Sequence, residues 1–550
     1  MNIVKYLSVI PRISGSIPNN IRGKEDNPNM EHAKSISSVA LDGHSLTLDA
    51  FVAVARFGAK VEITEEARQA MRRSRDLAEK IMAEKRVAYG ITTGFGDFAT
   101  VAVPEEQSSQ LSTNLILSHC VGTGEPYSVE VVRGMMLLRA NALCVGVSGV
   151  RPLLVERLVE LLNKGVTPWV PQKGSLGASG DLAPLSHMGL VLLGMGKAYY
   201  EGELLSGKEA LARAGIPALN TLVSKEGLGI TNGTCAMTSV GALHLYDSIR
   251  AARLADLIGS LTLTALTGQL NAFDPRVHAV RGQLGQMQVA KNILLLTENC
   301  EILQNSQGDR VQDAYALRCM PQVHGAVRDA LAYIKSKVDI ELNAVTDNPL
   351  MFLEDEAVIS GGNFHGEPMA LPFDFLGIAC AELASISERR TERMVNAALS
   401  NGLTRFLTTE GGLNSGFMIV QYSAASMASE NKVLAHPASV DSIPSSANQE
   451  DFVSMGTTAA RKAGTILENT RSVLAYELLT ACQAVDIRRR LGTHGQGLSP
   501  VHEAIFAHVR EKIPFMETDR ELWPDILEIE RMVRSGELLD IADELVPELI

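Results

Sequence analysis

The chain has 550 residues, long enough to bury a large core and to hold more than one structural domain. Its 46% hydrophobic and 21% charged residues are those of a soluble globular protein, and a net charge of −13 gives no electrostatic reason to expect nucleic acid or an anionic membrane as a partner. Seven cysteines, an odd number spread from Cys120 to Cys482, suit a reducing, cytoplasmic setting better than a disulfide framework, and without CxxC or HExxH spacing no metal site is expected.

Residues 1–38 mix Pro, Asn, Gly and Ser with scattered Lys and Arg, which reads as a flexible N-terminal extension. The apolar stretch Tyr6–Ile10 is too short for a signal-peptide core. A more globular region is expected over 39–235, with short strands near Gly90–Ala102 and, further on, Val358–Phe364. Residues 239–269, 366–399, 415–436 and 452–490 are Ala/Leu-rich with few breakers and predict long helices. In the last, Leu467, Leu474, Leu478, Cys482 and Val485 share one helical face. Charges such as Asp374 and Glu382 interrupt the apolar runs, so no membrane span is expected. The predicted fold is mainly α, a long-helix bundle over 236–550 carrying the globular 39–235 region.

Within that region, residues 174–184 read Gly-Ser-Leu-Gly-Ala-Ser-Gly-Asp-Leu-Ala-Pro. The spacing is GxxGxxG rather than a dinucleotide GxGxxG; no Walker A pattern is present, and the nucleophile-elbow GxSxG fails at Asp181. Ser179 or Asp181 is also suited to capping a following helix. The triplet Ala178-Ser179-Gly180 has a more specific chemistry. A glycine at 180 lets its amide nitrogen bend onto the Ala178 carbonyl and close a five-membered ring. Loss of the Ser179 hydroxyl then leaves an exocyclic methylidene, and the product is 4-methylidene-imidazole-5-one (MIO), an electrophile made from the chain itself with no external cofactor.

Around this triplet lie YGITTGFG at 89–96, LSHCVGTGEP at 117–126, GASGDLAPLSHM at 177–188 and NGT at 232–234. VQDAYALRCMPQV at 311–323, TDNPL at 346–350, SGGNFHGEP at 360–368, the run 429–451 ending in NQED, and VSMG at 453–456 follow. In this order the blocks resemble the histidine/phenylalanine/tyrosine ammonia-lyase family over nearly the whole chain, from about Val39 to about Leu545. The resemblance implies an MIO-dependent carbon–nitrogen lyase acting on a small amino acid. It also implies a homotetramer with active sites built from more than one subunit. Tyr89 is then the base that removes the β-proton, a role for which a phenol must be activated by its surroundings. Arg318 becomes the clamp on the substrate carboxylate, for which a guanidinium fork is suited. Asn232, Gln312 and Tyr315 surround the electrophile, and Phe364 lines the pocket.

In this family the pair at 118–119 sorts members by substrate, and Ser118-His119 is the histidine-type pair. A polar pair suits an imidazole that must be hydrogen-bonded; against a bare phenyl each group would go unpaired, at about 1–3 kcal/mol. Glu430 maps onto a glutamate facing the substrate ring, so elimination of ammonia from L-histidine to trans-urocanate is expected. Three residues depart from the histidine-type pattern: Phe452 for histidine, Cys235 for glutamine and Gly366 for alanine. Tyrosine or phenylalanine lyase, aminomutase and an inactive helical scaffold are the alternatives.

Overall fold

The computed structural model describes residues 30–94, 96, 101 and 103–550. The expected N-terminal extension lies outside the described residues up to position 29. Beyond it, Met30–Ser35 is a short helix with Ala33 fully buried, and Ser38–Leu41 pairs in parallel with Lys60–Ile63.

Helices carry the architecture. Those that matter for the site are Ser108–His119 (α1), Val129–Cys144 (α2), Leu182–Leu192 (α3), Glu226–Thr231 (α4) and Cys235–Ala265 (α5). They continue with Met320–Glu341 (α6), Glu367–Val395 (α7), Met418–Leu434 (α8) and Gly456–Leu491 (α9). The four long predicted helices are therefore present as α5, α7, α8 and α9, with ends moved by a few residues. The most extensive packing is α7 on α9 and α5 on α9. Residues Leu467, Leu474, Leu478, Cys482 and Val485 of α9 are all buried, as their common face requires. α5 is buried almost throughout, its charged Asp247, Arg250, Arg253 and Asp256 included, the pattern of a central helix.

Polar groups set the register of this bundle. Arg390 of α7 makes a bidentate ion pair with Glu477 of α9 at 2.6 and 2.9 Å, both side chains fully buried, and Thr262 of α5 donates to the same carboxylate at 2.7 Å. A buried charge without such partners costs several kcal/mol, so the three helices are held at one axial alignment. α7 is long and apolar enough to cross a membrane, yet 67% of its most apolar window is buried inside the fold.

Strands are short and peripheral. Leu350–Phe352 and Ala357–Ile359 form a hairpin, the observed part of the strand expected at Val358–Phe364. The strand expected at Gly90–Ala102 is not seen in its described residues. Residues 89–92 are turn and Thr93 a single β-bridge residue, with Gly94 N–H to Val101 O and Val103 N–H to Thr92 O, both 3.0 Å; positions 95, 97–100 and 102 lie outside the described residues. One contiguous apolar cluster runs from Ala33 to Leu549, so the 39–235 and 236–550 regions share a core. A smaller cluster including Ile81, Ala88, Ile91 and Met351 sits under the Tyr89 turn.

Candidate active site

The loop before α3 is held from three directions. Gly180 has φ +74°, and a Cβ there would stand 2.1 Å from the Gly233 carbonyl oxygen, so only glycine fits. Asp181 N–H donates to that same carbonyl at 2.7 Å. The Asp181 side chain does not cap its own helix. Its carboxylate accepts from the Ala236 and Met237 N–H groups at the start of α5, both 2.8 Å, and from the Ser175 and Thr457 hydroxyls. It thus caps a helix that begins 54 positions later, and a carboxylate there is favoured by the helix dipole. Complete burial pushes its carboxyl above the ordinary value, against the pull of these four donors. From the far side, Ser454 and Met455 N–H groups donate to Gly177 O and Leu176 O, both at 3.2 Å.

Two donors converge on the Ser179 carbonyl oxygen, Gly233 N–H and Asn232 Nδ2, each at 3.2 Å. Asn232 is buried, and its Oδ1 has no partner, so its orientation is committed to this contact and to whatever binds in front. A cavity of about 890 Å³ opens there, lined by Tyr89, Ser118, His119, Ser179, Asn232 and Glu450, with Leu115, Leu182 and Leu228 as apolar wall. A smaller cavity of about 340 Å³ reaches Ala178 and Gly180 and shares Ser118, His119 and Glu450 with the first.

Each polar group in the cavity is oriented. Gly96 N–H donates to the Tyr89 hydroxyl oxygen at 3.1 Å, a bond that survives loss of the phenolic proton. Ser118 Oγ lies 2.9 Å from His119 Nδ1. Burial holds the His119 imidazole below the ordinary histidine value, with nearby Glu450 opposing, so the ring is neutral at pH 7. Glu450 accepts from Ser179 Oγ at 3.3 Å. Its loop is closed by reciprocal backbone bonds between Ser445 and Glu450 of 2.8 and 3.2 Å, and Ser446, Ala447 and Asn448 all have left-handed φ of 49°, 52° and 68°. Three consecutive non-glycine residues in that region are strained, and the strain sits against the cavity.

Not every expected site residue is brought here. Tyr89, Ser118, His119, Ala178, Ser179, Gly180 and Asn232 come together. Glu430 does not: it lies on α8, where its carboxylate accepts from Asn469 at 2.9 Å, and the cavity carboxylate is Glu450, 20 positions on. Gln312, Tyr315, Arg318 and Phe364 line neither cavity of this single chain. Tyr315 is 71% exposed, and the Arg318 guanidinium lies over its ring, 4.8 Å from the centroid. Sequence reasoning missed Glu450 although the NQED block contains it.

The aromatic amino acid lyase family model matches residues 46–511. The chain belongs to the aromatic amino acid lyase family. It is 52% identical over 514 residues to histidine ammonia-lyase 1 of Fusobacterium nucleatum, covering 94% of this chain and 99% of that one. The crystal structure of histidine ammonia-lyase from Trypanosoma cruzi superposes with a TM-score of 0.85 at 40% identity, over 93% of this chain and 96% of that one. Tyrosine aminomutase from Streptomyces globisporus superposes with a TM-score of 0.88 at 36% identity, over 92% and 99%. The aromatic ammonia-lyase fold expected from the motif order is therefore the fold observed.

Proposed function

We propose that the protein eliminates ammonia from L-histidine to give trans-urocanate, using an MIO electrophile formed from Ala178, Ser179 and Gly180. The observation that carries this reading is the meeting of the triplet, Tyr89, Ser118, His119 and Glu450 around two cavities that share Ser118, His119 and Glu450.

The residues present fit the electrophile. Gly180 is admitted only without a Cβ, and the two donors on Ser179 O stand where the ring carbonyl would accumulate negative charge. When formed, the group supplies an electrophile that captures the substrate amine and makes ammonia a better leaving group. The remaining work falls to ordinary side chains. The Tyr89 oxygen takes the β-proton, and the Gly96 N–H that donates to it favours the deprotonated phenol that a base requires. Neutral His119 and the Glu450 side-chain oxygens offer acceptors to an imidazole ring, and Leu115 and Leu228 exclude water from its faces.

Gln312, Tyr315, Arg318 and Phe364 are assigned to the sites of neighbouring copies in a homotetramer. Their absence from the lining of this chain's own cavities supports that, as does an exposed apolar stripe, Leu371, Phe375 and Ile378 on α7 with Ile419 and Tyr422 on α8. The two-part division at 39–235 and 236–550 and a cytoplasmic location, suited to seven free cysteines, belong to the same proposal. The three departures have identified surroundings within this chain. Cys235 is buried at the start of α5; a Cβ at Gly366 would meet Met237 Cε and Ser454 Oγ at 2.6 Å; and Phe452 stacks on His365. None of them lines either cavity.

The test is a competition assay with equal L-histidine, L-tyrosine and L-phenylalanine, with products identified chromatographically. Urocanate in excess is expected. Coumarate, cinnamate or a β-amino acid in excess would overturn the substrate assignment, the last on the side of the aminomutase likeness.

A further inference from the structure

Two groups must be held at a set separation for β-elimination, the base and the electrophile, and they lie on different loops. One short segment touches both. At its N-terminal end, Ser224 is buried and its Oγ donates to the Ile91 carbonyl at 3.0 Å, two residues beyond Tyr89. At its C-terminal end, Asn232 Nδ2 and Gly233 N–H donate to the Ser179 carbonyl. Between them runs α4, a buried helix of six residues whose Leu228 lines the cavity.

This segment is anchored more heavily than its length requires. Lys225, a non-glycine residue at φ +76°, makes a fully buried ion pair with Asp347 at 2.7 Å, and Ser148 donates to the other Asp347 oxygen at 2.8 Å. Glu226 is fully buried and accepts from Arg151 Nε and Nη2, both 2.7 Å. Arg139, fully buried, donates to Gly229 O at 3.2 Å. Arg75 donates to the Ser224 carbonyl at 2.8 Å, fixing that end independently of the Tyr89 turn. Strained, buried and charge-paired backbone persists where the surroundings over-determine it, and here it lies between two catalytic groups.

We propose that residues 224–233 are a strut setting the distance between Tyr89 and the Ser179 carbonyl, with Ser224 as a positioning residue for β-proton removal. The proposal rests on the lyase reading above. Cutting the Ser224–Ile91 contact frees the Tyr89 turn, while the electrophile and its two carbonyl donors keep their own anchors. Proton removal slows and ring formation does not.

The test uses the purified full-length protein and its Ser224→Ala and Ser224→Cys variants, with L-histidine carrying hydrogen or deuterium at Cβ. Intact mass reports the two-water deficit of the electrophile. In Ser224→Ala the deficit is expected to be complete, kcat about tenfold lower, KM little changed, and the deuterium isotope effect on kcat larger than in the parent. Ser224→Cys, a weaker donor of similar volume, is expected to fall between. An unchanged isotope effect in the variants overturns the proposal, whether kcat holds or falls with folded fraction; if Ser224→Ala does not fold, Ser224→Cys alone is read the same way. A parent with neither mass deficit nor ammonia release sinks the lyase reading and the strut with it. A parent with both, and variants indistinguishable from it, sinks the strut alone.

Discussion

Replacing Asn232 by alanine separates catalysis from stability more cleanly than any other change at this site. Asn232 Nδ2 is one of two donors on the Ser179 carbonyl, each at 3.2 Å, and Gly233 N–H remains after the substitution. Loss of one such donor costs about 2.7–4 kcal/mol in the transition state, or about 10²–10³ in kcat. The folded state loses about 1 kcal/mol for one hydrogen bond. It also sheds the buried Asn232 Oδ1, which has no partner, so the net change in stability lies within about 1 kcal/mol. The assay is initial rate from the ultraviolet absorbance of the conjugated product, beside the Tm and the intact mass. The expected result is a two-water mass deficit, a Tm close to the parent's and a kcat about 10²–10³ lower. A variant with the full deficit and a kcat within about twofold of the parent would refute the role given to these donors.

Gly180→Ala places a Cβ 2.1 Å from the Gly233 carbonyl oxygen at φ +74°, and backbone on both sides leaves nothing to yield. Its expected intact mass shows no two-water deficit, and it releases no ammonia; a matured, active variant would contradict the geometry. Glu450→Gln keeps the volume but not the charge, so kcat/KM for histidine should fall about 10- to 100-fold, the value of a hydrogen bond to a charged group. Equal loss with phenylalanine as the substrate would show that Glu450 does not read the imidazole. His502 is held by burial at about 3, well below the ordinary 6.5. The unfolded chain therefore binds a proton that the folded chain refuses, so stability is full above pH 6.5 and falls by about 1.4 kcal/mol per unit between there and about 3. His502→Gln should flatten that slope in urea unfolding at pH 7 and 5, and an unaltered slope would rule out this histidine as its source.

Particular residues show how far the chain could be read without its fold. The helices α5, α7, α8 and α9 were visible as Ala/Leu-rich stretches because helix propensity and apolar periodicity are local properties. Tyr89, Ser118, His119 and Asn232 were expected from the resemblance of their motif blocks to the family, and they meet at the cavity. Glu450 was not: the strained 446–448 loop brings it to the cavity, whereas Glu430 on α8 is exposed, accepts from Asn469 and, like Gln312, Tyr315, Arg318 and Phe364, lines neither cavity of this single chain. Asp181 was legible as a helix cap, but the helix it caps is α5 rather than its own.

The amino-acid sequence by itself determined that the 178–180 triplet carries the residue types a ring closure needs, and the class of fold, since long uninterrupted helices must bury their faces against one another. The tertiary structure alone decided which groups surround that triplet. Ser179 meets Asn232, Glu450 and the Gly233 amide, and Tyr89 is tied through Ile91 to Ser224, across separations of 53, 271 and 133 residues for the side-chain bonds. Hydrogen bonds have a reach of about 3 Å and no memory of chain distance, so partners this far apart are chosen by packing and not by spacing.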